Sequence, residues 1–246
     1  RKTGPAVARG IVADDLLAAM EIYASWSLVY LGETERGMAL SYAACDRAEL
    51  IRQPYTRAFA YVGRNYCKML TKDFDGLEQG LEECIALCEE NEILYFLFTE
   101  KIHMAQVAAM QGWPGAAAQI HAAIEDYRQT RSILYQPTYK HWEAVAWLAE
   151  GDDKAAREAN QWSIATAESH DMHHMLGEYY GLKAVLDYRA SDERAALRSA
   201  EIAQGWVERQ KARLAGQLNR ELWAKYGLTV GLANRTGGLV LGRMGV

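Results

Sequence analysis

The residues best suited to chemistry form a histidine-rich run late in the chain. The run contains His170, Asp171, His173 and His174, with Glu168 and Glu178 nearby in sequence. Imidazoles and carboxylates are common zinc ligands, so a metal-dependent sensor or enzyme built on His170, His173 and His174 is one functional hypothesis. The run also falls where a turn between helices is predicted, and there Asp171 would serve as the N-cap of the next helix. We favour the turn and assign no metal ligand.

Cysteines offer a second possible chemistry. The chain has four of them, Cys45, Cys67, Cys84 and Cys88. Cys84 and Cys88 stand at i and i+4 on one helix face, a spacing that suits metal binding or oxidant sensing. No two form a C-x-x-C pair, and the low density is typical of cytosolic proteins. We therefore expect buried structural thiols and a cytoplasmic protein.

Common catalytic motifs are missing from the sequence. It has no Gly-Lys dipeptide, and hence no phosphate-binding loop of the form G-x-x-x-x-G-K-[ST]. It also lacks H-E-x-x-H, the G-x-S-x-G nucleophile elbow and a dinucleotide fingerprint. We predict a protein that is not an enzyme, with no catalytic residue and no cofactor.

Composition narrows the range of partners. Of 246 residues, 50% are hydrophobic and 24% are charged, which is typical of a globular protein, and the formal net charge is −5. Net negative charge argues against a general nucleic-acid binder, and no apolar run is long enough to span a bilayer. The chain opens with Arg-Lys-Thr and shows no signal peptide, so we expect a piece of a longer cytoplasmic protein.

The elements that position these residues are set by a recurring turn. Its anchors are Gly32, Thr71, Gly112, Gly151 and Ala190, spaced 39, 41, 39 and 39 residues apart. A small residue follows each anchor by five positions: Gly37, Gly76, Ala117, Ala156 and Ala195. A helix that ends at such a turn, followed by a small residue in the next helix, indicates two helices packed closely side by side. Each period therefore predicts an antiparallel helix pair.

Apolar residues at spacings of three and four fill the segments between turns. The predicted first helices are 14–31, 55–70, 93–110, 138–149 and 172–189; the second helices are 34–50, 74–90, 114–131, 153–169 and 192–209; a capping helix spans 212–226. We predict an all-α fold, a right-handed α-α superhelix of about five helix pairs plus the cap. The domain covers 14–226, preceded by a linker or partial repeat at 1–13 and followed by a Gly-rich, flexible tail at 227–246 that is loop or a short extended piece.

The stretches LGETERGMALSYAACDRAELIRQP and GWPGAAAQIHAAIEDYRQT resemble tetratricopeptide-type repeats of the longer, roughly 40-residue kind. More narrowly, the chain is similar to the C-terminal repeat arm of large bacterial signalling proteins that carry an NTPase module, often with a nucleotide-cyclase domain. In such proteins the arm acts as a sensor or docking surface. The resemblance implies a non-catalytic regulatory module.

If the helices follow tetratricopeptide geometry, the first helix of each pair lines a concave face. Counting back from the anchors places these residues on it: Trp26, Tyr30, Tyr61, Asn65, Lys68, Ile102, Gln106, His141 and Tyr180. This mixed aromatic and polar wall favours a mixed peptide, a small effector or a neighbouring domain of the same parent chain over an acidic peptide. An architectural role in self-association is a further alternative, and the oligomeric state stays open. We expect no nucleic-acid or membrane partner.

Overall fold

The computed structural model describes residues 15–232 and 239–242. The predicted linker or partial repeat at 1–13 lies outside the described residues. From Leu16 to Lys225 the elements are helices, with two short 3-10 segments at Arg128–Thr130 and His173–Met175. The α-helices are α1 Leu16–Tyr30, α2 Thr34–Ile51, α3 Pro54–Leu70, α4 Leu77–Glu90, α5 Leu94–Met110, α6 Ala116–Tyr127, α7 Gln136–Glu150, α8 Asp153–Ser169, α9 Leu176–Arg189, α10 Glu193–Gln210 and α11 Arg213–Lys225. The predicted all-α fold class is confirmed.

Two short strands follow the helices. β1 (Thr229–Leu232) pairs antiparallel with β2 (Leu239–Gly242), and Thr229 lies opposite Gly242. They fall in the segment 227–246, predicted to be loop or a short extended piece. Within that segment Gly227 has positive φ, the two strands are extended, and the remainder, 233–238 and 243–246, lies outside the described residues.

The turns that close the first helices share one backbone geometry. In each turn an N–H donates to the carbonyl five residues earlier: Glu33 to Leu28, Asp73 to Lys68, Trp113 to Ala108, Asp152 to Trp147 and Asp192 to Asp187, at 2.8–3.0 Å. The residue before the donor has positive φ in every case: Gly32, Lys72, Gly112, Gly151 and Ser191. This is the Schellman end of a helix. It recurs at spacings of 40, 40, 39 and 40 residues.

The predicted anchors at Thr71 and Ala190 are one residue early. Both have negative φ, −89° and −80°, and the left-handed position falls on the next residue, Lys72 or Ser191. The prediction missed these residues because neither is glycine. A non-glycine residue can occupy the left-handed position at a modest cost when the surrounding turn is fixed. The position five residues after the anchor shifts accordingly, from Gly76 to Leu77 and from Ala195 to Ala196. The prediction of a small residue at this position is therefore wrong in the second repeat, where the large side chain of Leu77 is buried.

The residues five positions after the corrected anchors are all buried: Gly37, Leu77, Ala117, Ala156 and Ala196. Gly37 shows the reason for small size. A Cβ at this position would lie 2.7 Å from Cγ2 of Val29 and 2.8 Å from the carbonyl oxygen of Ser25. The backbones of α1 and α2 therefore approach each other too closely for a larger side chain.

The chain divides into two compact units. The first contains the described residues through Val29 and then Glu33–Met104. Its core holds Ile22 of α1, Val62 of α3 and Phe96 of α5. At the contact of α1 with α3, a Cβ on Gly63 would lie 2.5 Å from Cδ1 of Ile22, so these two helices also need a small residue between them.

The second unit contains Tyr30–Gly32 and the chain from Ala105 onward. Trp223 of α11 and Leu182 of α9 are among its core residues. The indole Nε1 of Trp223 donates to the carbonyl oxygen of Gly181 at 2.9 Å, which ties α11 to α9. None of the described helices combines the length and the apolar composition that crossing a bilayer requires.

Candidate interaction surface

Tyr61 forms the centre of a polar surface in the first unit. The left-handed Arg52 ends α2, and Pro54 opens α3 with the side chain of Gln53 as its N-cap. This short connection places Glu49, near the end of α2, beside the middle of α3. The Tyr61 hydroxyl donates to the Glu49 carboxylate, and Nε of Arg57 donates to Glu49 Oε1 at 2.9 Å. The carboxylate thus fixes both side chains in place.

Two guanidinium groups lie over the Tyr61 ring. The Cζ atoms of Arg57 and Arg64 are 5.8 Å and 5.0 Å from the ring centroid, within the range of cation–π attraction. Arg57 is paired with Glu49. Arg64 instead donates to the amide oxygen of Asn65 at 3.3 Å, and among the described residues it has no carboxylate partner. The guanidinium group of Arg64 can therefore still bind a carboxylate from a partner.

We call Glu49, Arg52, Arg57, Tyr61 and Arg64 the Tyr61 patch. Burial opposes ionisation of Glu49, but hydrogen bonds from Tyr61 and Arg57 and the charges of Arg57 and Arg52 outweigh it and lower the pKa of Glu49. Its carboxylate is therefore ionised at neutral pH. Three guanidinium groups against one carboxylate leave the patch with surplus positive charge.

The other predicted residues of the first unit are largely buried. Trp26 lies among Tyr23, Phe59 and Tyr66 with ring centroids 5.3–6.0 Å away, and its Nε1 donates to the carbonyl oxygen of Gly63 at 3.2 Å.

Asn65 is also buried and donates to the Gly80 carbonyl at 2.9 Å and to Glu100 Oε2 at 2.8 Å. Lys68 is paired with Asp73, with 3.1 Å between Nζ and Oδ2. Ile102 has no exposed surface. These side chains are engaged in packing the helices together.

The predicted residues of the second unit have different environments. The Tyr30 hydroxyl donates to Sδ of Met175 at 3.0 Å. Gln106 is half-buried, and its Oε1 is enclosed without a hydrogen-bond partner among the described residues. His141 is buried against the ring of Tyr179 at 5.0 Å, and this burial lowers the pKa of His141 to about 4. His141 is therefore neutral at physiological pH.

Tyr180 repeats a contact seen at Tyr61. The Tyr180 hydroxyl donates to Glu168 Oε1 at 2.8 Å, and Glu168 precedes it by twelve residues, as Glu49 precedes Tyr61. Lys101 pairs with Glu89 at 3.5 Å across the same sequence separation. In these three repeats the side chain eleven residues before the left-handed turn residue binds a carboxylate near the end of the preceding second helix.

The nine predicted residues do not share one row of the helices. Tyr61 and Tyr180 stand eleven residues before their turn residues, whereas Ile102 and His141 stand ten before theirs. The early anchors at Thr71 and Ala190 cause this mixture. Arg57 and Arg64 were not predicted, although the i, i+4, i+7 spacing of Arg57, Tyr61 and Arg64 could have identified a common face.

The histidine run is a turn in the structure. His170 Nδ1 lies 3.0 Å from the carbonyl oxygen of Thr166, and the ring of His173 packs on Trp206 at 5.1 Å. Asp171 is not the predicted N-cap; it is the positive-φ residue of the turn, with φ of 54°. Within the described ranges, no group of three or more His, Cys, Asp or Glu side chains is placed to hold a metal ion.

The four cysteines are buried, as predicted. Sγ of Cys45 donates to the carbonyl oxygen of Ala60 at 3.4 Å, and Sγ of Cys84 to that of Ala58 at 3.6 Å, so both thiols pack on α3. Burial raises the pKa of Cys45 to about 12. A thiol with so high a pKa is a poor nucleophile at neutral pH.

No protein-family model, curated protein or solved structure matches the chain. A functional assignment therefore depends on the geometry of its own residues, and in the first unit the Tyr61 patch offers the most distinct chemistry.

Proposed function

We propose that the chain is a non-catalytic helical-repeat interaction module that binds a protein or peptide on its first helices and serves as a regulatory arm of a larger signalling protein. The observation that carries this proposal is the Tyr61 ring held under Arg57 and Arg64, with no carboxylate partner for Arg64 in the described part of the chain. Tyrosine and arginine are enriched among the residues that dominate binding energy at protein interfaces.

The chemistry of the patch favours a particular kind of segment. A guanidinium group binds a carboxylate through two parallel hydrogen bonds, and its flat face stacks on an aromatic ring. Arg64 is already oriented by the Tyr61 ring and by Asn65, so little side-chain entropy is lost when a partner binds. The proposed partner therefore presents an acidic side chain next to an apolar one. This differs from the expectation from sequence, which disfavoured an acidic peptide because Arg57 and Arg64 were not recognised.

The repeat geometry supports a tetratricopeptide-type assignment. The turns recur every 39 or 40 residues, and one row of the first helices holds residues that are mostly small and buried throughout: Ser25, Asn65, Ala105, Ala144 and Ala184. We extend the proposal to the arm of NTPase and nucleotide-cyclase signalling proteins, in which the bound segment belongs to another protein or to another domain of the same parent chain.

Fluorescence anisotropy with labelled peptides tests the proposal. The panel contains a peptide alternating Glu with Phe or Leu, a second with Gln in place of Glu, and a third with Lys in place of Glu. We expect binding of the acidic peptide alone, and a loss of about 30-fold in affinity for Arg64→Ala, as for a residue worth about 2 kcal/mol at an interface.

The matched control is Arg198→Ala, because Arg198 is an exposed arginine on α10 in the second unit. Its affinity should equal that of the unaltered chain. Equal losses for Arg64→Ala and Arg198→Ala would reduce the binding to general charge attraction, and equal binding of all three peptides would remove the patch from consideration.

A further inference from the structure

We propose that α1 is a docking surface for one more helix pair of the same repeat type. The surface is a stripe of Leu16, Met20, Tyr23 and Ser27, which we call the α1 stripe. Leu16, Met20 and Tyr23 are 66%, 59% and 51% exposed. The spacing i, i+4, i+7, i+11 places all four residues along one face of the helix.

The equivalent residues of the next first helices are buried in the first unit. Forty positions after Met20, Tyr23 and Ser27 stand Ala60, Gly63 and Cys67 on α3, all enclosed. Forty positions further, Glu100 and His103 on α5 are enclosed as well. The stripe is thus an internal surface in every first helix of this unit except α1.

The second unit follows the same rule. The equivalent positions on the two first helices that lie wholly within it are all buried: Tyr139, Trp142 and Ala146 on α7, and Tyr179, Leu182 and Leu186 on α9. The stripe is covered in four successive repeats and open in α1. Because α1 has large apolar residues at these positions, its stripe has the composition of a surface that packs against another helix.

The later repeats show what covers the stripe. In the first unit the ring of Phe96 stacks on Phe59 with centroids 5.5 Å apart, and His103 stacks on Tyr66 at 5.6 Å. In the second unit the Tyr179 hydroxyl lies 3.1 Å from Oγ1 of Thr138. In each case the cover is the first helix of the preceding pair.

The covering residues define the chemistry of the occupant. On α3 they are Phe59 and Tyr66, with Val62 between them, at spacing i, i+3, i+7. The α1 stripe is apolar and partly aromatic, so it fits a helix that presents large apolar side chains at this spacing. The occupant is therefore a helix pair whose first helix carries such a row.

The last α-helix of the second unit offers a contrast. The outward residues of α11 are polar: Arg213, Gln217, Arg220 and Glu221. A polar outer face is what a terminal capping helix needs in a repeat protein. It does not match the α1 stripe, which disfavours a second copy binding head to tail. This docking surface goes beyond the Tyr61 patch, and the two proposals can fail separately.

The experiment measures the rate at which a maleimide labels Met20→Cys, with the native cysteines buried and therefore silent. In one variant, a copy of residues 54–93 is inserted between Ala13 and Asp14, which preserves the forty-residue period. We expect labelling to slow by at least tenfold. The same insertion with serine at the copied positions of Phe59, Val62 and Tyr66 should label as fast as the chain without an insertion.

A second variant carries a copy of residues 133–172 at the same place, in case the first copied pair does not fold. Circular dichroism measures the added helix in each variant. Unchanged labelling with both folded insertions would overturn the proposal. So would slow labelling of Met20→Cys without any insertion, because the stripe would then be covered already. Sedimentation would show whether a second copy is the cover.

Discussion

Glu178 makes the stability of the protein depend on pH in a direction opposite to that of most acidic residues. It lies in the first turn of α9, is 7% exposed, and its Oε1 has no hydrogen-bond partner among the described residues. Burial raises the pKa of Glu178 from 4.5 to about 8. The folded state therefore holds the proton more tightly than the unfolded state. This contribution to stability is complete below pH 4.5 and is lost as the pH rises to 8.

The size of the effect follows from the shift. Each pKa unit corresponds to about 1.4 kcal/mol, so the free energy of unfolding should fall by about 5 kcal/mol between pH 4.5 and pH 8 through this one group. Glu178→Gln removes the titration while keeping the shape of the side chain. The variant should lack this decline, whatever its stability at a single pH.

Urea unfolding at half-unit steps from pH 5 to pH 9, followed by circular dichroism, measures both curves. Glu158→Gln is the matched control, because Glu158 is an exposed residue of α8, with its side chain 68% exposed. Its curve should parallel that of the unaltered chain. If the curve of Glu178→Gln is also parallel, the reasoning about the buried carboxyl group is refuted.

Three further predictions address the packing of the helices. Burial lowers the pKa of His141 to about 4, so its contribution to stability is present above pH 6.5 and is lost as the pH falls toward 4. In urea titrations, the free energy of unfolding of the His141→Gln variant should lack the decline of about 3 kcal/mol that His141 causes over this range in the unaltered chain. Gly63→Val should destabilise the first unit by about 1–3 kcal/mol through overpacking, whereas Gly205→Ala, with open space around it, should be neutral or stabilising by up to about 1 kcal/mol in thermal melts. Ala196→Trp should lower the melting temperature because Ala196 is buried, and Ala195→Trp should not because Ala195 is partly exposed. The opposite result would show that Ala190, and not Ser191, is the turn position from which the repeat is counted.

The sequence was sufficient to predict the helix pairs but not their register. Apolar spacing and the glycines at 32, 112 and 151 locate the helices and three of the turns, because these signals act locally. Lys72 and Ser191 carry no such signal. Their left-handed conformation is imposed by the bonds on either side of the turn, such as Asp73 N–H to the Lys68 carbonyl.

The candidate site was harder to predict, because burial depends on neighbouring helices. Ile102 and His141 fall where the repeat geometry predicts, yet contacts from adjacent helices leave them almost no exposed surface. Arg64 acquires its role from the Tyr61 ring and from a carboxylate that binds Arg57 instead, and neither contact follows from composition. The open stripe on α1 could be recognised only by comparison with the buried rows of later helices.

The later first helices bury the same stripe, and α1 leaves it open. Single cysteines at Met20, Ala60 and Leu182, each in the chain with its native thiols buried, test this claim through their rates of reaction with a disulfide reagent. We expect fast reaction at position 20 and rates at least a hundredfold slower at 60 and 182, where the rate reaches that of position 20 only in denaturant. Equal rates at the three positions in the folded protein would contradict it.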